Sequence, residues 1–172
     1  LFEQKPNDIL SVFFTCGYPE LEDTRSTLIS LAKSGVDLVE IGMPFSDPIA
    51  DGGTIQRSSQ QALDNGITLE KIFEQLEGIR DEIDIPLIMM GYLNPVMQYG
   101  IERFVKKAAE IGIDGFILPD LPMYEYQTFY KDLFDAHDLA NIFLITPQTS
   151  EERIREIAAR ARSGRYDSGE TI

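Results

Sequence analysis

Short apolar runs alternate with amphipathic stretches along this chain, and one such unit occurs twice. Ala32-Lys33-Ser34-Gly35-Val36-Asp37-Leu38-Val39-Glu40-Ile41 is echoed by Ala109-Glu110-Ile111-Gly112-Ile113-Asp114-Gly115-Phe116-Ile117-Leu118. Each copy reads as a helix end, a glycine in the left-handed cap, and a buried strand. A repeated unit with short apolar strands implies parallel strands covered by helices. The spacing predicts strands over residues 10–14, 37–41, 86–90, 115–118 and 141–145. Between them, Leu69, Ile72, Phe73, Leu76 and Ile79 fall at helical spacing, as do Ile101, Phe104, Val105 and Ala108. Ile154, Ile157, Ala158 and Ala161 do so again, and Thr149 with Glu152 reads as a capping box at the start of that helix. The strand starts are one βα unit apart except between the second and third. There residues 43–65 are inserted, after the carboxyl end of a parallel strand, where α/β proteins place their chemistry.

Five such units leave the architecture open. A doubly wound sheet uses five strands. A (β/α)8 barrel uses eight and typically about 250 residues. By count the sheet is simpler, although Thr15-Cys16-Gly17-Tyr18-Pro19 after the first strand is no Gly-rich phosphate loop.

The 172 residues suffice for one domain with a real core, and a hydrophobic share of 43% with 26% charged residues is ordinary for a globular protein. The longest apolar run, near residues 83–90, is interrupted by Asp84 and is far short of the ~18–20 residues that span a bilayer. The opening Leu1-Phe2-Glu3-Gln4-Lys5 does not read as a signal peptide, and the missing initiator Met points to an N-terminus removed or left out. Cys16 is the one cysteine, so an internal disulfide is impossible and a reducing cytoplasm fits best. A net charge of −14 argues against nucleic acid but not against a small phosphorylated ligand held by backbone N–H groups. No metal-ligand cluster is visible. The lone histidine, His137, lies in a polar helical stretch expected to face solvent, and no Gly-x-Ser-x-Gly elbow accompanies it.

Glu40 is the first residue that could carry chemistry. It stands within an apolar strand, and a buried carboxylate must be paired, protonated or facing a cavity. The loop from Gly42 to Gln56 follows, stiffened by Pro44 and Pro48, loosened by Gly42, Gly52 and Gly53, and carrying Asp47 and Asp51. Asp51 is eleven residues beyond Glu40, far enough to bend back over the strand end. Two carboxylates in different environments can divide acid and base roles. The blander alternatives stand beside these readings. Glu40 could reach solvent or an ion pair, and Asp47 and Asp51 could be turn residues. Asn94 before Pro95, and Asp120 within Pro119-Asp120-Leu121-Pro122, read most simply as turn residues, and Phe13 as core.

Residues 37–56, Asp37-Leu38-Val39-Glu40-Ile41-Gly42-Met43-Pro44-Phe45-Ser46-Asp47-Pro48-Ile49-Ala50-Asp51-Gly52-Gly53-Thr54-Ile55-Gln56, closely resemble the signature of tryptophan synthase α subunits. Similar segments follow in order: Phe14-Thr15-Cys16-Gly17-Tyr18-Pro19, Gly91-Tyr92-Leu93-Asn94-Pro95, residues 112–122, and Thr146-Pro147-Gln148-Thr149-Ser150. The resemblance holds from residue 1 to about residue 157, and it overturns the five-stranded sheet. It implies a (β/α)8 TIM barrel of which about the first five βα units are recognisable here. It also implies retro-aldol cleavage of indole-3-glycerol phosphate to indole and glyceraldehyde 3-phosphate. By the same resemblance Glu40 is the general acid and Asp51 holds the indole N–H. Phe13, Met90 and Tyr92 lie near the indole pocket. Pro44, Asp47, Pro48, Asn94 and Asp120 meet the β subunit of an α2β2 complex. No cofactor is expected in this chain, since the pyridoxal phosphate belongs to the β subunit.

The chain departs from the family pattern in three places. Gly53 stands where many relatives have proline, and Met123-Tyr124-Glu125-Tyr126 replaces a commoner Pro-Glu-Glu pattern. No match to the sixth, seventh and eighth strands, or to their phosphate-holding loops, is visible beyond Ile157. The expectation is therefore a single barrel domain over residues 1–172, incomplete at its C-terminus, with residues 162–172 as a flexible polar tail. The rival expectation is a catalytically inactive partial barrel of the same family that self-associates through its open edges.

Overall fold

The computed structural model describes residues 1–49 and 51–160. Five parallel strands form one sheet: β1 (Ser11–Thr15), β2 (Leu38–Gly42), β3 (Leu87–Met90), β4 (Gly115–Ile117) and β5 (Ala140–Asn141). Their spatial order is their chain order. This order decides the architecture. A doubly wound sheet of flavodoxin type runs 2-1-3-4-5 and reverses direction, which puts helices on both faces. Here every step goes the same way, and right-handed crossovers then place all helices on one face. Burial agrees. Val39, Ile41, Leu87, Met89 and Phe116 belong to the core beneath the helices. The alternating positions Glu40, Ile88, Met90 and Ile117 stay outside that cluster, on the opposite face. A singly wound parallel sheet of this kind is an arc of a (β/α) barrel.

The covering helices follow from their apolar stripes. Helix α1 (Asp23–Lys33) runs between β1 and β2. The insert after β2 holds a helix of its own, α2 (Gly53–Asp64), ahead of α3 (Leu69–Leu76). Thr68 caps α3 by accepting from the Lys71 N–H at 3.2 Å. After β3 come α4 (Leu93–Tyr99) and α5 (Ile101–Ile111). After β4, α6 (Met123–Glu125) passes through a wide π-type turn (Tyr126–Tyr130) into α7 (Lys131–Ala136), and α8 (Glu151–Arg160) follows β5. Phe73, Phe104, Phe116 and Phe134 stack in a row with ring centroids 5.1–5.4 Å apart and tie α3, α5, β4 and α7 together. Each is fully buried, worth roughly 1.5–3 kcal/mol apiece in area removed from water.

The internal repeat has a structural meaning. Gly35 and Gly112 both adopt the left-handed conformation, with φ of 85° and 84°. Two residues on, Asp37 and Asp114 each stitch the amino end of one strand to the strand before it. Asp37 accepts from the Leu10 N–H at 2.8 Å and from Lys5 Nζ at 2.6 and 2.7 Å. Asp114 accepts from the Leu87 N–H at 2.8 Å and pairs with the Arg80 guanidinium. Arg80 also binds the carbonyl oxygens of Gly112 and Ile85. The Leu10 N–H, and then Lys5, hold the Asp37 carboxyl below the usual carboxylate range.

Several local expectations are corrected. The fifth strand was expected over residues 141–145, but pairing stops after Asn141 apart from one bond, Ile142 N–H to the Phe116 carbonyl at 2.8 Å. Among the described residues β5 has a neighbour on one side alone, so half its ladder has no partner. Leu144 and Ile145 are accordingly exposed. The cap of α8 lies one residue later than expected. Ser150 Oγ accepts from the Arg153 N–H at 3.2 Å, while Thr149 Oγ1 is taken by the Thr146 N–H at 2.9 Å. His137 is half-buried instead of solvent-facing, with Nδ1 2.9 Å from the Leu133 carbonyl. The expected tail at residues 162–172 lies outside the described residues. No helix among those described is long and apolar enough to cross a membrane.

Candidate active site

The carboxyl ends of β1, β2 and β3 meet at one level, where Thr15 pairs with Gly42 and Gly42 with Met90. A Cβ on Gly42 would stand 2.4 and 2.6 Å from the Phe13 ring and 2.7 Å from the Phe14 carbonyl. The absence of a side chain there lets the Phe13 ring lie across the end of β2. A cavity of about 20 Å3 opens beside it, lined among others by Phe13, Met43, Asp51, Ser59, Met90 and Tyr92. That is room for about one water molecule. Four of the five residues expected in the catalytic and substrate-binding set thus come together: Phe13, Asp51, Met90 and Tyr92.

The loop after β2 does bend back over the strand ends. Tyr92, 5% exposed, accepts the Ile49 N–H on its hydroxyl at 3.1 Å, and its ring lies 5.2 Å from that of Phe45. The Asp51 carbonyl accepts from Gln56 Nε2 at 2.8 Å, which ties the loop end to the first turn of α2. Thr15 and Ser58 share a hydrogen bond of 2.8 Å between β1 and α2. The half-buried Asp51 carboxylate is left at the mouth of an otherwise largely apolar cleft.

Glu40 sits differently. It lies on the inner face, level with Phe13 and Ile88, but does not line the cavity. Its Oε1 accepts from Ser11 Oγ at 2.7 Å, one pleat closer to the amino end of the sheet. Ser11 was not singled out in the sequence. The signal was there in principle, because Ser11 has the parity of Phe13 on β1, but it becomes readable only once the register is known. The same holds for Gly42 and Ser59.

The five residues expected to face a partner are spread along the same rim. Asp47 and Asn94 are exposed, while Pro44, Pro48 and Asp120 are half-buried. Asp47 accepts from Ser46 Oγ at 2.5 Å. Asp120 makes no local turn bond of the kind expected. Its two carboxylate oxygens receive the Leu93 N–H at 2.9 and 3.1 Å and so cap α4 from 27 residues away. Burial pushes the Cys16 thiol far above its ordinary range, so Cys16 is a packing residue beside this site and no nucleophile. Among the described residues no group of three or more His, Cys, Asp or Glu side chains could hold a metal ion.

The model of one family, the tryptophan synthase alpha chain, matches residues 2–167, past Ile157 where the resemblance read from the sequence stops. The alpha chain of Christiangramia forsetii is 59% identical over 154 residues, covering 90% of this chain and 60% of that protein. That of Flavobacterium psychrophilum is likewise 59% identical, covering 90% and 61%. The chain therefore spans about 60% of the length of the curated relatives it matches. Among solved structures, the alpha chain of Legionella pneumophila superposes with a TM-score of 0.84 at 38% identity, covering 94% of this chain and 60% of that one. The tryptophan synthase complex of Pyrococcus furiosus gives 0.83 at 32%, covering 90% and 63%. A singly wound parallel sheet, a loop folded back over its carboxyl ends, and these matches together mean that the chain belongs to the tryptophan synthase alpha chain family.

Proposed function

We propose that the chain is the part of a tryptophan synthase α subunit that carries the indole pocket and its acid, and that it cleaves indole-3-glycerol phosphate to indole and glyceraldehyde 3-phosphate. The observation that carries this reading is the gathering of Phe13, Asp51, Met90 and Tyr92 around one cavity at the strand ends. Glu40 stands on the adjoining inner face of β2. In the retro-aldol step the bond between the indole ring and the glycerol side chain breaks. Its electron pair goes to the ring, and the hydroxyl-bearing carbon becomes the aldehyde as its hydroxyl proton passes to the Glu40 carboxylate left by proton delivery to the ring. Glu40 delivers a proton to the ring carbon, so that neutral indole leaves. Asp51 holds the ring N–H and stabilises the positive charge that develops there. Phe13, Met90 and Tyr92 supply the flat apolar walls. The reaction needs no cofactor in this chain.

The rim formed by Pro44, Asp47, Pro48, Asn94 and Asp120 is the face for a β subunit, in an α2β2 assembly located in the cytoplasm. The β subunit carries the pyridoxal phosphate that joins indole to serine. The test is indole release from indole-3-glycerol phosphate with excess β subunit and no serine, so that indole accumulates. Release that disappears in Glu40→Gln supports the reading. Equal release by wild type and Glu40→Gln would refute the role of Glu40, and no release from the wild type would leave the chain a non-catalytic partial barrel.

A further inference from the structure

Among the described residues Ser59 is the one polar side chain lining the cavity apart from Asp51 and Tyr92, and its hydroxyl bonds no other described residue. It is 5% exposed and lies on the inward face of α2 with Ala62. A helical serine usually returns its hydroxyl to a carbonyl one turn back, as Ser30 does to Ser26 and Ser34 to Ser30, each at 2.8 Å. The neighbouring Ser58 is used fully, donating to the Ile55 carbonyl at 3.0 Å and bonding Thr15 at 2.8 Å. The Ser59 hydroxyl makes neither kind of bond and has no hydrogen-bond partner among the described residues. A hydroxyl that lines the cavity without a protein partner keeps both its donor and its acceptor capacity for whatever enters there.

We infer that Ser59 is a ligand-contacting residue: its hydroxyl accepts the N–H of the bound indole ring together with the Asp51 carboxylate. The inference rests on the indole reading of the cavity proposed above. Indole offers one donor and is otherwise apolar. The lining offers two acceptors, Asp51 on the β2 loop and Ser59 on α2, against the apolar Phe13, Ile55 and Met90, and the ring would have to widen the one-water cavity of the free protein.

This separates Ser59 from a residue with a merely structural role. Ser59→Ala removes an unpaired hydroxyl and installs the best helix former, so thermal stability should hold or rise. Indole affinity should fall about three- to tenfold, the worth of one hydrogen bond. Ser59→Thr, which keeps the hydroxyl, should bring the affinity back towards wild type. The experiment is calorimetric titration of the full chain with indole, alongside a melting curve, for wild type, Ser59→Ala, Ser59→Thr and Asp51→Asn. Unchanged indole affinity in Ser59→Ala would overturn the inference and leave the hydroxyl as the seat of a single water. A lower melting temperature in Ser59→Ala would also overturn it, by making the hydroxyl structural. Loss of binding in Asp51→Asn with none in Ser59→Ala would defeat the Ser59 role alone. Failure of the wild type to bind indole would defeat the pocket reading and this inference with it.

Discussion

The two ends of the sheet are built on opposite plans. At the amino end, Asp37 and Asp114 occupy matching places in the internal repeat, and each satisfies a backbone N–H of the preceding strand and a cation. Those groups are spent on one another, and what they do is hold strands in register. At the carboxyl end the polar groups are only partly spent. Asp51 stands at the mouth of an apolar cleft, Ser59 lacks a partner, and Glu40 is held by a serine from below. The difference teaches how such a fold divides its polar groups. At the amino end the polar residues complete each other's hydrogen bonds and hold the sheet, and around the strand-end cavity they keep bonding capacity to spare.

The comparison breaks most visibly at Glu40. Glu40→Gln should lower indole release by at least about a hundredfold, the usual worth of a positioned acid, with an unaltered melting curve. A variant that loses fold and activity together would move Glu40 into the supporting class. The converse change is Asp114→Ala. It frees the Leu87 N–H and the Arg80 guanidinium and should cost about 1–3 kcal/mol in urea unfolding, with the indole affinity of the folded protein unchanged. Half-exposure of the Asp114 carboxylate argues for the lower part of that range.

Asp120 tests the border between the two plans, because it lies on the rim proposed to meet a partner yet performs a capping task. Asp120→Ala should cost about 1 kcal/mol by leaving the Leu93 N–H uncapped. If the rim also meets a β subunit, affinity for that subunit should drop more than Asn94→Ala makes it drop, since α4 itself shifts. The smallest effect is a pH dependence at the amino end. Asp37 is held below the usual carboxylate range, so its stabilising contribution is complete above the ordinary value of about 3.9 and is lost as pH falls through its lower folded value. Asp37→Asn should therefore flatten the acid limb of a stability–pH curve in that window alone. A flattening near neutrality would point to another group.

Much of this was legible beforehand, and the reasons are local. The alternation of apolar runs marked all five strands to within a residue at their starts, and the glycine before each repeated strand marked its left-handed cap. The Glu40–Gln56 stretch marked the site loop because prolines, glycines and carboxylates crowd together there. Where the reading slipped, long-range pairing was at stake. β5 is shorter than its apolar run because strand length depends on neighbours, and Ile142, Leu144 and Ile145 have a partner strand on one side at most among the described residues. The insert of residues 43–65 contains a full helix whose buried face, Ser59 and Ala62, is too narrow to stand out as a stripe. Asp120 looked like a turn residue because its real partner is 27 residues away.

By itself, then, the chain determined its repeating βα character, the family signature and the identity of the residues with chemistry to offer, since these depend on composition and spacing within a few residues. Only the tertiary structure decided which of those residues meet. Strand order excluded the doubly wound sheet, register put Ser11 beneath Glu40, and the closing of the loop under Tyr92 put Asp51 and Ser59 around one cavity. Contacts between residues distant in the chain depend on how the strands are ordered and aligned, and no local pattern encodes that alignment.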